Sequence, residues 1–239
     1  MAVLERRLFE LKIVDLNETL VRPAAEVHVR CHPGSLDALL GAECVADALR
    51  RRCLGPQPEM TGRVALHVPD GRVAGYCVSI PRAGVETRNR ILTPRVAAAH
   101  FLRRVWLSPA LWRLAAGLVV RRLGIGPARG GPAGSTGAGA ADSSPPDLGD
   151  RASTELVVQL DVDPAFRFSN VGFDLMLDME RQAFHRGARR VFGWVARHNH
   201  AAIRLYEYIH WRRRVPDFER DGFLFISKEL PADDAPAAR

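Results

Sequence analysis

An α/β domain carrying a helical insertion and a disordered loop is the fold this sequence predicts, and three observations predict it. Short apolar runs with strand character alternate with stretches of helical periodicity, first as strand, helix, helix and hairpin, and late in the chain as strand, helix, strand, helix and two strands. Between these halves, over residues 91–153, charge and order both change. The 239 residues, 47% of them hydrophobic, can close a real core, which excludes a wholly disordered chain.

Taken in order, Leu8 to Val14 is a short apolar run expected as a strand. Pro23 to His32 and Ala42 to Cys53 carry helical periodicity and end in basic residues, which suits the negative end of a helix dipole. RVALHV and RVAGYCVSI flank Pro69-Asp70-Gly71, and Asp-Gly between β-rich runs is a hairpin signal because both residues accept positive φ. Gly75 inside the second arm predicts a close backbone approach or a bulge.

Residues 91–123 alternate apolar faces with arginines and are interrupted at Pro109, predicting two basic amphipathic helices. Gly124 to Ser153 holds eight glycines and four prolines among thirty residues and is expected to be a flexible linker. The net charge of +7 resides here: residues 90–123 contain seven arginines and no acid, so the remainder is balanced. Only Lys12 and Lys228 are lysines, an arginine bias that coding composition alone can produce, so the charge gives no clear nucleic-acid signal.

The domain then resumes. Glu155 to Asp163 is an apolar strand ending in alternating carboxylates, a helix is expected from about Val171 to Arg186 with Gly187 stopping it, and Arg190 to Ala196 is a buried strand. Asn199 caps a helix reaching about Ile209, and strands follow near Arg212 to Val215 and Phe223 to Glu229. The expected division is therefore 1–90 and 154–230 as two halves of one domain, 91–123 as insertion, 124–153 as linker and 231–239 as a disordered tail. No eighteen-residue apolar run occurs, and the N-terminus mixes acids and bases where a signal peptide is apolar, so a soluble, cytoplasmic chain is expected. Cys31, Cys44, Cys53 and Cys77 form no C-x-x-C pair and read as free thiols.

Chemistry concentrates in the strand, turn and helix from Glu155 to Gln182. A turn that feeds unsatisfied backbone N–H groups into the start of a helix makes an anion site of a size for a pyrophosphate. Its residues are Arg167, Phe168, Ser169, Asn170, Val171 and Gly172, where Gly172 lets a ligand approach the main chain.

Leu160-Asp161-Val162-Asp163-Pro164 followed by Arg167-x-x-Asn170-x-Gly172, and Asn199-x-Ala201-Ala202-x-x-Leu205-Tyr206-Glu207 further on, resemble the GNAT superfamily of acyl-coenzyme A dependent N-acyltransferases. The first is similar to that family's V-x-P strand end with its R/Q-x-x-G-x-G/A pyrophosphate loop, the second to its N-x-x-A-x-x-L-Y-E helix, and the element order agrees. The resemblance covers residues 154–230 well and 8–89 weakly. Two departures stand out: Asn170 occupies the first loop glycine, tolerating left-handed backbone but bringing a side chain into the loop, and His210-Trp211 replaces the usual Gly-Phe.

The resemblance implies a mixed, mostly antiparallel central sheet flanked by helices, and a transferase moving an acetyl group from acetyl-CoA to a primary amine, first a small molecule and second a protein amine. It implies cofactor binding by Leu160, Val162, Arg167, Phe168, Ser169, Asn170, Val171, Gly172 and Asn199, with amides freed by a splayed strand near Val162 holding the pantetheine arm and the oxyanion. Tyr206, seven residues after Asn199 and so on the same helix face, would stabilise the departing thiolate. For the general base Glu155 is named, with Asp161, Asp163 and a water relay as the alternatives; even separations place the three carboxylates on one strand face unless a bulge intervenes. His28 and His32 are i, i+4 with Cys31 beside them, a metal-like spacing without an evident third ligand, so no metal is expected. The alternatives are a catalytically weak acyl-CoA-binding module, suggested by Asn170, and a membrane or nucleic-acid adaptor acting through the basic insertion, whose Phe101, Trp106 and Trp112 could equally cover the acceptor groove or a second subunit in a homodimer.

Overall fold

The computed structural model describes residues 8–84, 91, 94–104, 148–213, 219–220 and 222–231. Its strands are β1 (Leu11–Asp15), β2 (Thr61–His67), β3 (Val73–Pro81), β4 (Thr154–Val162), β5 (Arg190–Ala196), β6 (Arg212–Arg213), β7 (Glu219–Arg220) and β8 (Phe223–Glu229). Its helices are α1 (Glu18–Cys31), α2 (Leu36–Leu40), α3 (Ala42–Cys53), α4 (Pro94–Arg104), α5 (Val171–His185) and α6 (His200–Tyr208). One sheet runs β1-β2-β3-β4-β5-β8-β6, with β7 also paired to β8. Every pair among the described strands is antiparallel except β4 with β5.

Alternating side chains feed two cores, one on each sheet face. Val21, Ala24, Val27 and Leu49 of α1 and α3 pack on Tyr76, Val78, Leu156 and Val158. On the opposite face Leu175, Met176, Met179 and Tyr206 of α5 and α6 pack on Cys77, Val157, Val191 and Val195.

Local chemistry accounts for where the elements differ from expectation. Helix α1 begins at Glu18 rather than Pro23 because the Asn17 side chain caps it, accepting from Thr19 N–H at 3.1 Å and Leu20 N–H at 3.2 Å. Pro23 is carried inside at the cost of one ladder hydrogen bond. Helix α2 was not expected, since five residues are too few to display a period; it is set by the Ser35 cap and by Gly41 at φ 85°. The hairpin turns at Gly71 with φ +67°, as Asp-Gly requires. At Gly75 both expectations hold: the pairing shifts between Ala65 and Leu66, and a Cβ there would sit 2.7 Å from the Asp161 carbonyl oxygen.

The insertion is helical where it is described, and the end of the expected linker is ordered. Helix α4 packs Val96, Ala97 and Phe101 against Leu40 and Cys44, with His100 hydrogen bonded to Asp47 at 2.8 Å. The linker ends earlier than Ser153, because Leu148 is buried in the first core and residues Arg151–Ser153 form a 3-10 turn capped by Asp150. The end of the first expected helix with Trp106, the second with Trp112, most of the linker and residues 232–239 lie outside the described residues. Among the described residues no helix is long and apolar enough to cross a membrane, and the four cysteines are free.

Candidate functional site

Strand β4 is the axis of the site. It pairs with β5 only from Thr154–Arg190 to Val157–Gly193, after which β5 continues on β8 and β4 continues on β3 as far as Val162. Parallel neighbours that part in this way leave backbone donors and acceptors without a strand partner. A cavity of about 460 Å³ adjoins the parted end, within the usual range for small-molecule sites. Leu160, Asp161 and Val162 of β4 line it together with Cys31 and His32 from α1, Phe166 to Ser169 from the following turn, Gly172 and Phe173 of α5, and Asn199, Ala201, Ala202 and Leu205 at α6.

The turn is built by its own side chains. Asp163 accepts from Ala165 N–H at 2.9 Å, and its other oxygen takes both Arg30 Nε at 2.9 Å and Arg30 Nη2 at 2.6 Å. Ser169 Oγ donates to the Phe166 carbonyl at 2.5 Å and lies 3.3 Å from the Val171 amide as its acceptor. The first helical bond of α5 is Asp174 N–H to Asn170 C=O at 2.8 Å, so the amide of Gly172 stands ahead of the ladder. A Cβ on Gly172 would come within 3.3 Å of Leu205 and 3.4 Å of Val162, closing the seam between α5, α6 and β4.

Asn170 does not behave as its position suggested. Its backbone is right-handed, φ −77° and ψ −11°, and the left-handed residue of the turn is Phe168 at φ +60°. The Asn170 side chain leaves the turn: Oδ1 accepts from Phe9 N–H at 2.9 Å, while Nδ2 donates to the Phe9 carbonyl at 3.2 Å and to Asp174 at 2.5 Å. It therefore clamps the segment before β1 and leaves the mouth of the turn open. Phe168 is 73% exposed at that mouth.

Of the expected binding residues, Leu160, Val162, Arg167, Phe168, Ser169, Gly172 and Asn199 line the cavity, whereas Asn170 and Val171 do not. Val171 is fully buried beneath the turn. Asn199 is the cap of α6, accepting from Ala202 N–H at 3.1 Å. Tyr206 is only 8% exposed and sits behind the lining, its ring 5.1 Å from Trp211. Its hydroxyl bonds no other described residue, and burial, with Cys77 and Asp161 nearby, pushes its pKa up.

Glu155 is not at this site. The pairing shifts between Val78 and Ser79, leaving Val158 as the extra residue of β4. Such a bulge reverses strand parity. Glu155 consequently faces α5, while Asp161 and Asp163 face α1. Fully buried, Glu155 accepts from Ser79 Oγ at 2.5 Å and from Arg186 at 2.5 and 3.2 Å, beside a separate cavity of about 440 Å³ at the other end of the strand. A carboxylate spent on three donors, remote from the parted strands, presents no free oxygen to the cavity.

The parted end holds another cluster. Asp161, 2% exposed at its side chain, takes His28 Nδ1 on Oδ2 at 2.8 Å, and His32 Nε2 and Gln159 Nε2 on Oδ1 at 2.8 and 2.6 Å. Tyr76 hydroxyl lies 3.0 Å from His28 Nδ1, and Asp37 Oδ2 lies 3.4 Å from His28 Nε2. Burial opposes a charge on His28, but the hydrogen bonds to Asp161 and Asp37 outweigh it and raise its pKa to about 9. Burial likewise opposes a charge on Asp161, and its two histidine partners still hold it well below the usual carboxylate range. Burial and Asp161 push the Cys31 thiol up to about 12 against the pull of Arg167, and its Sγ donates to the Val162 carbonyl at 3.1 Å. His28, His32 and Asp161 have their donor atoms within 4.8 Å of one another, a set a divalent ion could use. Asp161 and His28 are satisfied within the cluster, and His32 joins it through Nε2 alone. The sequence showed the histidine spacing but not its third member, which lies 129 residues beyond His32.

Residues 136–210 match the model of the acetyltransferase (GNAT) family. Among solved structures, the PaiA N-acetyltransferase of Thermoplasma acidophilum in complex with coenzyme A is similar in fold, with a TM-score of 0.53 at 10% identity over 92% of this chain and 99% of that one. So is yncA of Salmonella typhimurium with its cofactor acetyl-CoA, at 0.52 and 13% over 96% and 99%. An acetyltransferase of the GNAT family from Staphylococcus aureus Mu50 gives 0.51 and 8% over 93% and 100%. No curated protein sequence matches the chain.

Proposed function

We propose that this chain is a member of the GNAT superfamily and an N-acetyltransferase that moves the acetyl group of acetyl-CoA to a primary amine of a small molecule. What carries the reading is the parting of β4 from β5 after Val157 and Gly193, beside a cavity that continues to the start of α5. That one groove offers a diphosphate a set of donors at one end and an extended thioester arm a strand edge at the other. The residues fit such a cosubstrate. The Gly172 amide and Arg167 supply neutral and cationic donors for phosphate oxygens, and the open turn, with Asn170 drawn aside to Phe9, leaves them reachable.

When bound, acetyl-CoA supplies an activated thioester carbonyl. Leu160 and Val162 flank the groove where the arm would lie and hold it dry with Ala202 and Leu205. Amides of β4 beyond Val157, without a strand partner on the β5 side, are the donors to the oxygen that gains charge. Tyr206 contributes a buried phenol with no described partner, a donor for the leaving sulfur. We take the acceptor to be a compact amine rather than a protein amine, meeting the thioester at the β4 end of the cavity, where Cys31, His32 and Asp161 line it.

Thermal-shift titration with acetyl-CoA and longer acyl-CoA esters tests binding: at a hundredfold excess over Kd the folded state gains about 2.7 kcal/mol. Release of free thiol on a panel of small primary amines tests transfer. An unchanged melting temperature with every ester would sink the proposal. Binding without thiol release on any amine would replace it with a silent acyl-CoA binder.

A further inference from the structure

We infer that His32 takes the proton from the acceptor amine, with Asp161 fixing the ring as its positioning carboxylate. This rests on the acetyl-transfer reading above and names a base that the reading leaves open.

The assignment follows first by elimination along β4. Glu155 sits at the wrong end of the strand with both oxygens on Arg186 and Ser79. Asp163 has one oxygen on Ala165 N–H and the other on Arg30. Asp161 is buried, and its two oxygens already receive three donors. None of these carboxylates presents an uncommitted oxygen to the cavity, so a proton leaving the amine needs another acceptor there.

His32 meets the requirement. Its side chain is 41% exposed, where that of its neighbour His28 is 5% exposed, and it lines the cavity beside Asp161. The carboxylate fixes which nitrogen carries hydrogen. Asp161 Oδ1 can only accept, so Nε2–H of His32 must donate along the 2.8 Å contact. Gln159 Nε2 donates to the same oxygen, and two donors converging on one atom account for the 2.9 Å between them. Nδ1 of His32 is then the unprotonated ring atom, and it bonds no other described residue. His28 cannot serve in its place, since its two nitrogens face Asp161 and Asp37. It supports the Asp161 charge from behind.

The step balances. The amine nitrogen bonds the thioester carbon, the carbon–sulfur bond breaks, and the sulfur leaves with that bond pair. The proton shed by nitrogen moves to Nδ1 of His32, making an imidazolium held by anionic Asp161. Partial exposure lets it pass to water, from which the thiolate recovers one proton.

The experiment compares wild type with His32→Ala and His32→Gln, reading thiol release on the best amine and, separately, the thermal shift with acetyl-CoA. A drop in kcat of about 100-fold or more is expected in both variants, with the shift by acetyl-CoA retained, which also shows that they are folded. Added imidazole should recover part of the rate in His32→Ala but not in wild type. Turnover by both variants at the wild-type rate would overturn the assignment. So would loss of wild-type activity on chelation with recovery by zinc, because the cluster would then be a metal site. Wild type that binds acetyl-CoA yet acetylates no amine would overturn the transfer reading itself, an outcome distinct from a defect confined to the His32 variants.

Discussion

Two side chains beside the groove, neither of which lines it, differ in what their loss would change. The Tyr206 hydroxyl makes no bond to a described residue, so Tyr206→Phe removes no structural hydrogen bond and leaves the ring packed on Trp211. If that phenol donates to the departing sulfur, the variant should keep its thermal shift with acetyl-CoA while kcat falls by about 10-fold to 100-fold. Equal turnover would assign Tyr206 to packing alone. Asn170 is the opposite case. Its amide satisfies both backbone groups of Phe9, so Asn170→Ala should cost about 1–2 kcal/mol in denaturant unfolding, from the lost bonds. Substitution by glycine, although it restores the family pattern, should not tighten acetyl-CoA, because the asparagine is already turned away from the cavity. A large gain in affinity from Asn170→Gly would contradict that geometry.

At the scale of elements, α1 and β4 are joined by ionised groups, and their coupling sets a pH window. His28 has an ordinary pKa of 6.5 and about 9 in the fold, so its contribution to stability is complete below pH 6.5 and is lost as pH rises through 9. Asp161 is depressed from an ordinary 3.8, so its contribution is present above that pH and lost as pH falls well below it. The groups facing His28 are Asp161 and Tyr76 from the sheet, Asp37 from α2, and His32 from the C-cap of its own helix. The melting temperature should therefore be highest between about pH 3.8 and 6.5 and fall from 6.5 to 9 as far as this pair governs it. His28→Gln should flatten the fall above 6.5; a variant with the wild-type slope would remove the pair as its cause. This cluster also marks what the sequence could and could not disclose. The i, i+4 spacing of His28 and His32 is local and legible, whereas their meeting with Asp161 depends on sheet order. The parity argument that put Glu155 beside Asp161 failed on one extra residue, Val158, since a bulge leaves no reliable trace in composition. Helices α5 and α6 were legible because long periodic runs and the Asn199 cap are local signals; α2 was too short to have a period.

Across the whole molecule, β4 carries stability at one end and chemistry at the other. Glu155, Leu156 and Val157 pair on both sides, and there Glu155 meets Arg186, which caps α5, so that the two halves of the groove are fastened at their base. Beyond the bulge the strand keeps only β3, and the face towards α1 changes from Leu156 and Val158 to Asp161. The division explains why a contiguous motif could mark the turn that lines the cavity, whereas the place of Glu155 depends on which end of the strand is open. Glu155→Gln puts the division to the test. Removing the charge from a buried carboxylate that holds an arginine should lower unfolding free energy by about 1.5–3 kcal/mol. Arg186 is partly exposed and keeps access to water, which holds the loss below that of a fully buried pair. Turnover per folded molecule, taken well below the new melting temperature, should remain near wild type, because the substitution lies at the closed end and touches no residue lining the open cavity. A stable Glu155→Gln variant with kcat reduced by orders of magnitude would reverse the assignment and return the base to that end of the strand.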